Sequence, residues 1–183
     1  MHIQQTAIKG VMVVETIPFI DQRGAFLRLF CERELSAILG ERRIVQVNYS
    51  RTEAVGAIRG LHYQRPPHAE MKLVRCLRGR VWDVALDLRQ GSPTFLYWHA
   101  EKLTPDNARM LVIPEGCAHG FQALEGGSEL LYLHTAFYEP STEGGFRIDD
   151  PRLKITWPLP IVDLSLRDQA LPFLTADFAG IMC

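Results

Sequence analysis

The 183-residue sequence has no apolar run approaching a bilayer span, no block of Lys or Arg, no internal repeat and no low-complexity tract. A membrane-spanning segment therefore has no support. A nucleic-acid surface must neutralise many phosphates at once, and a net charge of -1 without basic clusters argues against one. A few arginines still suffice for a single diphosphate. Cys31, Cys76, Cys117 and Cys183 form no C-x-x-C pair and stand in no Cys/His spacing of the kind structural zinc requires, so they read as reduced thiols. The opening Met1-His2-Ile3-Gln4-Gln5 lacks the basic and apolar regions of a secretory signal, from which a cytoplasmic address is expected.

What is present is an ordinary globular composition, 47% hydrophobic and 22% charged, at a length that suits one domain over residues 1–183. The clearest strand is Val81 to Leu88, where Trp82, Val84, Leu86 and Leu88 share one face and Asp83 and Asp87 the other. This alternation predicts a half-buried strand. Lys72 to Leu77 precedes it, and the Arg78-Gly79-Arg80 link predicts a hairpin. Further strand-like runs cover Gly10 to Ile17, Ile44 to Ser50, Thr94 to Ala100, Arg109 to Ile113, Gly120 to Leu124 and Glu129 to Phe137. Many short strands separated by turns predict a mainly β fold, a β-barrel or a jelly roll, with its core over about residues 10–140. One helix is expected, Glu32 to Leu39, ended by Gly40. The Pro-rich C-terminal part, about 141–183, is expected to cover the barrel as loops and short helical turns.

Two segments bear the side chains of chemical interest. Arg59-Gly60-Leu61-His62-Tyr63-Gln64 sets an arginine and a histidine in a strand-like stretch; taken alone, the commoner reading is a strand histidine satisfied by hydrogen bonds. Pro114-Glu115-Gly116-Cys117-Ala118-His119-Gly120-Phe121 brings a turn and a second histidine into a strand. With Lys72, the two segments furnish cationic and hydrogen-bonding groups suited to an anionic ligand.

These segments, together with Lys72-Leu-Val, Asp83-Val-Ala-Leu-Asp-Leu-Arg, Ser92-Pro-Thr-Phe, Asp149-Asp-Pro, Asp21-Gln-Arg-Gly, Ile155-Thr-Trp-Pro and Leu164-Ser-Leu-Arg-Asp, resemble the dTDP-4-dehydrorhamnose 3,5-epimerase family. The likeness runs from about residue 10 to about residue 172. It implies a cupin-type jelly roll, a homodimer that exchanges N-terminal strand pairing, and epimerisation of a nucleotide-diphospho-4-keto-6-deoxy sugar without metal or organic cofactor. Removing a proton beside a ketone needs a base and a partner for the enolate oxygen. A histidine, ionising near working pH, suits the base, and His62 takes that place. By resemblance, Asp168 orients His62, Lys72 stabilises the enolate and Tyr132 returns a proton from the opposite face. The likeness also implies that Arg23, Arg59 and His119 meet the diphosphate and nearby sugar oxygens, Arg23 in the partner's site. Phe26 and Tyr138 flank the base, Arg167 keeps a phosphate-facing charge, and Gln46 and Asn48 are further polar contacts.

The sequence departs from the family's pattern at Arg28, where Glu is usual, at Val47, Tyr49 and Leu133, which replace polar or charged residues, and at Gly145 and Ile148. These positions leave open the nucleotide base, the sugar contacts and whether C3, C5 or both are inverted. A metal-dependent cupin would carry an H-x-H pair, which is absent; His68-Ala69-Glu70 is the nearest fragment. A non-catalytic sugar-nucleotide-binding cupin and a 3,4-ketoisomerase are the remaining readings.

Overall fold

Alternating apolar residues interrupted by Gly and Pro form thirteen short strands in the computed structural model, which describes residues 1–183. In chain order they are β1 (His2–Gln5), β2 (Met12–Glu15), β3 (Phe19–Asp21), β4 (Gly24–Phe26), β5 (Gln46–Thr52), β6 (Ile58–Gln64), β7 (Lys72–Arg78), β8 (Val81–Asp87), β9 (Trp98–Leu103), β10 (Arg109–Ile113), β11 (Cys117–Ala123), β12 (Ser128–His134) and β13 (Glu143–Gly145). Two one-turn helices join them, α1 (Ser36–Leu39) and α2 (Leu166–Gln169). A six-stranded sheet ordered β1-β2-β10-β7-β12-β5 faces a five-stranded sheet ordered β13-β6-β11-β8-β9, and all strand pairs are antiparallel. This is the expected jelly roll. No helix is long and apolar enough to cross a membrane.

Three apolar layers hold the sheets. Between them lie Val13, Val74, Cys76 and Leu130 of one sheet and Val81, Ala85, Cys117 and Phe121 of the other, all buried. Outside the six-stranded sheet, Leu35, Ile38 and Leu39 cover Val14, Leu73, Met110, Val112 and Leu133. Outside the five-stranded sheet, Phe146, Ile148, Leu153, Leu174 and Ile181 of the C-terminal segment cover Leu61, Tyr63, Leu86, Leu88 and Ala118. Parallel bridges Ile58 to Leu164 and Arg89 to Ile181 tie that segment down.

Several expectations change. The Gly79 turn does not make a hairpin: β7 pairs with β10 and β12, β8 with β9 and β11, so residues 79 and 80 carry the chain from one sheet to the other. Gly79 has φ 75, and a Cβ there would lie 2.5 Å from Ser128 Oγ. A tight turn reads the same in sequence whether it closes a hairpin or a corner.

Strand β8 is buried on both faces rather than half-buried. Its apolar face meets the C-terminal segment, while the Asp-bearing face points inward; Asp83 and Asp87 are wholly buried. The helix expected over Glu32 to Leu39 contracts to Ser36–Leu39, because the residue at its N-terminal cap is Leu35, which has no side-chain acceptor for the free N–H groups. Gly40 ends it at φ 59. β13 lies in the segment expected to be loops and extends the five-stranded sheet beyond β6.

Candidate active site

Between the sheets opens a cavity of about 460 Å³, within the range of small-ligand sites. His62 and His119 enter it from neighbouring positions on β6 and β11, where they are register partners. The close approach depends on Gly60: with φ 128, a Cβ there would stand 2.5 Å from Gly120 Cα and 2.8 Å from His119 O. On the opposite sheet, β12 and β7 contribute Tyr132, His134 and Lys72, and β5 contributes Gln46, Asn48 and Ser50. Strand alternation sends Tyr132 and His134 to the same face, their rings stacked with centroids 6.2 Å apart.

His62 is only partly buried, and its Nε2 lies 2.7 Å from Asp168 Oδ1. Asp168 is carried in by α2, whose cap is Ser165: the Asp168 N–H donates to Ser165 Oγ at 3.1 Å. Burial, the largest influence on the Asp168 carboxyl, raises its pKa. The hydrogen bond and charge of His62 and the Gly60 N–H outweigh it and hold the pKa below its ordinary value. An ionised carboxylate only accepts, so Nε2 is the His62 nitrogen that donates to Asp168, which in a neutral ring leaves the lone pair on Nδ1.

Across the cavity, burial pushes the Tyr132 phenol well up, beyond the relief given by its 2.8 Å contact with Ser50 Oγ. Tyr132 therefore stands as a protonated acid. Lys72 Nζ lies 3.0 Å from Glu70 Oε1, and His134 Nδ1 lies 2.7 Å from Glu70 Oε2. Burial is the largest influence on Glu70 and raises its pKa, yet the His134 hydrogen bond and the Lys72 charge keep it lowered. His119 Nε2 meets Asp83 Oδ1 at 2.8 Å; burial pushes the Asp83 carboxyl up against the pull of His119.

The family model described as dTDP-4-dehydrorhamnose 3,5-epimerase matches residues 5–176. The dTDP-4-dehydrorhamnose 3,5-epimerase of Salmonella typhimurium is 41% identical over 176 residues, 95% of this chain and 96% of that protein. A dTDP-4-dehydrorhamnose 3-epimerase of Streptomyces niveus is 38% identical over 184 residues, covering 100% of this chain and 88% of its own. The crystal structure of the Legionella pneumophila dTDP-6-deoxy-D-glucose-3,5-epimerase, in complex with dTDP-4-keto-L-rhamnose, superposes with a TM-score of 0.92 at 37% identity, covering 100% and 98% of the two chains.

The chain belongs to the dTDP-4-dehydrorhamnose 3,5-epimerase family. Ten of the twelve site residues expected from the sequence line this epimerase-family cavity: Gln46, Asn48, Arg59, His62, Lys72, His119, Tyr132, Tyr138, Arg167 and Asp168. Arg59 donates through Nε to Thr52 Oγ1 at 3.0 Å and through Nη2 to Arg51 O at 3.1 Å. At the mouth, Glu143 accepts from Tyr138 Oη at 2.8 Å and also pairs with Arg167.

Arg23 and Phe26 are not brought to the cavity of their own chain. They sit on the β3–β4 hairpin, where Arg23 pairs with Asp21 at 2.6 Å and Phe26 is exposed. Of the family departures, Tyr49 lines the cavity, whereas Leu133 and Val47 do not. Leu133 points away from Tyr132 into the layer beside α1, and Val47 points outward from β5 to solvent. Arg28 is held by Glu34 outside the cavity, and Ile148 is core.

Sequence reasoning did not assign Glu70, His134, Ser50 and Glu143 to the cavity wall, nor Asp83 to its place behind His119. The alternation placing His134 beside Tyr132 was a usable signal. Glu70, behind Pro66-Pro67, was visible only as a metal-ligand fragment with His68, and nothing there pointed to Lys72 or His134. Glu70 is committed to Lys72 and His134, and no three His, Cys, Asp or Glu side chains are grouped as a ligand set.

Proposed function

We propose that the chain inverts C3, C5 or both of a nucleotide-diphospho-4-keto-6-deoxy sugar, of the dTDP-4-dehydro-6-deoxyglucose type, by removing a proton beside the ketone and returning one from the opposite face. The observation that carries this reading is His62 on one sheet, paired with Asp168 of α2, facing Tyr132 and Lys72 on the other sheet. His62 Nδ1 takes the proton. The imidazolium that results is stabilised by Asp168, as a carboxylate stabilises the histidine of a catalytic triad. The Lys72 ammonium meets the charge that develops on the ketone oxygen, an interaction worth more in a secluded cavity than in water. Tyr132 then donates to the carbanion from the other wall. The oxidation level of the sugar never changes, so proton transfers suffice, and the cycle closes when the His62 imidazolium gives its proton to solvent and the Tyr132 phenolate takes one from it.

The nucleotide end is read at the mouth, where Arg59 and Arg167 suit forked contacts to a diphosphate and Tyr138 offers a ring to the base. His119 faces the sugar or the adjoining phosphate. Residues 1–183 work as one unit in this reading, because the C-terminal segment brings Asp168 to His62. Arg23 and Phe26 serve the cavity of a second copy, supported by the exposure of Ile17, Phe19, Ile20 and Phe26 on and beside their hairpin. β1 itself pairs with β2 of the same chain, so the hairpin is the segment best placed to cross between copies. Four free cysteines suit a reducing, cytoplasmic compartment.

Inversion at one carbon alone is the second reading, favoured by the likeness to the Streptomyces niveus protein named a 3-epimerase. The test compares wild type with His62→Asn on nucleotide 4-keto-6-deoxy sugars in deuterated water. Wild type incorporates deuterium at C3, C5 or both, and the variant loses about 10²–10⁴-fold in exchange at each carbon that wild type labels. Equal exchange by the two proteins contradicts His62 as the base.

A further inference from the structure

Polar groups along one wall of the cavity are joined end to end. The Tyr138 backbone N–H donates to Gln46 Oε1 at 3.0 Å, and Gln46 Nε2 donates to Asn48 Oδ1 at 3.3 Å. Asn48 Nδ2 lies 3.3 Å from His134 Nε2, His134 Nδ1 lies 2.7 Å from Glu70 Oε2, and Lys72 Nζ lies 3.0 Å from Glu70 Oε1. Both ends have fixed polarity, since a backbone N–H and an ammonium can only donate. Turning the Asn48 amide alone sets its nitrogen against Gln46 Nε2. Turning both amides sets Gln46 Nε2 against the Tyr138 N–H. The chain therefore runs one way, with Asn48 donating to His134 Nε2. His134 is then the neutral tautomer with its hydrogen on Nδ1, and Glu70 accepts from His134 on one oxygen and from Lys72 on the other.

We propose that Glu70 is the positioning residue for Lys72, and that His134 in turn fixes the Glu70 carboxylate, so that a relay anchored at the cavity mouth aims the ammonium. This rests on the reading above that Lys72 faces the forming enolate. The Lys72 side chain has four rotatable bonds, and an unanchored ammonium would have to be ordered at the moment of reaction. Glu70 removes that requirement. Its negative charge opposes the enolate, so aim rather than charge is its contribution. Two carboxylate oxygens serve two donors; an amide in its place offers one acceptor, and either Lys72 or His134 is released.

The experiment measures kcat and KM of Glu70→Gln, His134→Ala and His134→Asn beside wild type, with the His134 ring of the wild type observed by ¹⁵N NMR. Glu70→Gln and His134→Ala each lower kcat about 10- to 100-fold with KM within about twofold. In His134→Asn the amide N–H stands in for Nδ1–H and restores most of that loss. Unchanged kcat in Glu70→Gln overturns the proposal, as does His134→Asn no better than His134→Ala. The NMR spectrum shows the neutral Nδ1–H form; an Nε2–H form or an imidazolium at neutral pH overturns the direction of the relay, even where a variant fails to fold. A wild type that exchanges no deuterium defeats the functional reading instead, and the tautomer still decides the relay.

Discussion

His62 owes its proposed chemistry to a residue 106 positions away in the chain, because Asp168 occupies Nε2 and so selects the nitrogen left to act as base. Tyr132, its proposed counterpart, is protonated because burial disfavours the phenolate. Replacing Tyr132 by Phe is expected to keep solvent exchange within about tenfold while net inversion falls about 100-fold or more, provided a proton can return from the face it left. Stereochemical analysis of labelled product checks this, and equal loss of both contradicts it. At this scale the sequence was only partly legible. Arg59, His62 and Lys72 announce themselves as polar groups in apolar strands, whereas the partnership with Asp168 entered only through family resemblance, since no local spacing encodes a contact across 106 residues. Glu70 was noticed only as part of a His68-Ala69-Glu70 metal-ligand fragment, because its neighbours Pro66 and Pro67 mark a loop and give no sign of which way the chain returns.

Among the elements, β8 carries the clearest lesson. Its alternation separates two faces but does not say which one points inward, and here the acidic face lines the interior. Asp87 ends that strand by accepting from Arg89 Nε at 2.9 Å, Ser92 Oγ at 2.6 Å and Thr94 Oγ1 at 2.7 Å, which folds the loop back on the barrel. Burial, the largest influence on this carboxyl, raises its pKa, but these bonds outweigh it and lower the pKa from 3.8 to about 2. A carboxyl depressed on folding stabilises the native state above its unfolded value, and the contribution is lost as pH falls from about 4 toward 2. Asp87→Asn is expected to lower Tm by roughly 2–10 °C at pH 7 and to lose less of its stability than wild type on acidification. Calorimetry at several pH values reads both. A Tm difference that stays constant down to pH 2 contradicts this account of Asp87.

For the whole molecule, the strand count and turn density made an all-β barrel or jelly roll readable and the family resemblance chose the jelly roll, while sheet membership was not legible: the Gly79 corner has the composition of a hairpin yet connects opposite sheets. The β3–β4 hairpin is likewise illegible as strands in the Asp21-Gln-Arg-Gly segment, since its apolar residues follow no inward face within one chain. Phe19, 77% exposed, and Ile20, 75% exposed, are expected to be covered by a second copy. Phe19→Asp should convert a dimer to monomers in light scattering and reduce kcat/KM about 10- to 100-fold, through loss of Arg23 and Phe26 from the neighbouring cavity; a monomeric wild type contradicts that expectation. The central claim is proton exchange beside a ketone, and wild-type protein incubated with nucleotide 4-keto-6-deoxy sugars in deuterated water tests it most directly. The account predicts deuterium at C3, at C5 or at both in at least one such sugar; no deuterium at either carbon of any of them contradicts it.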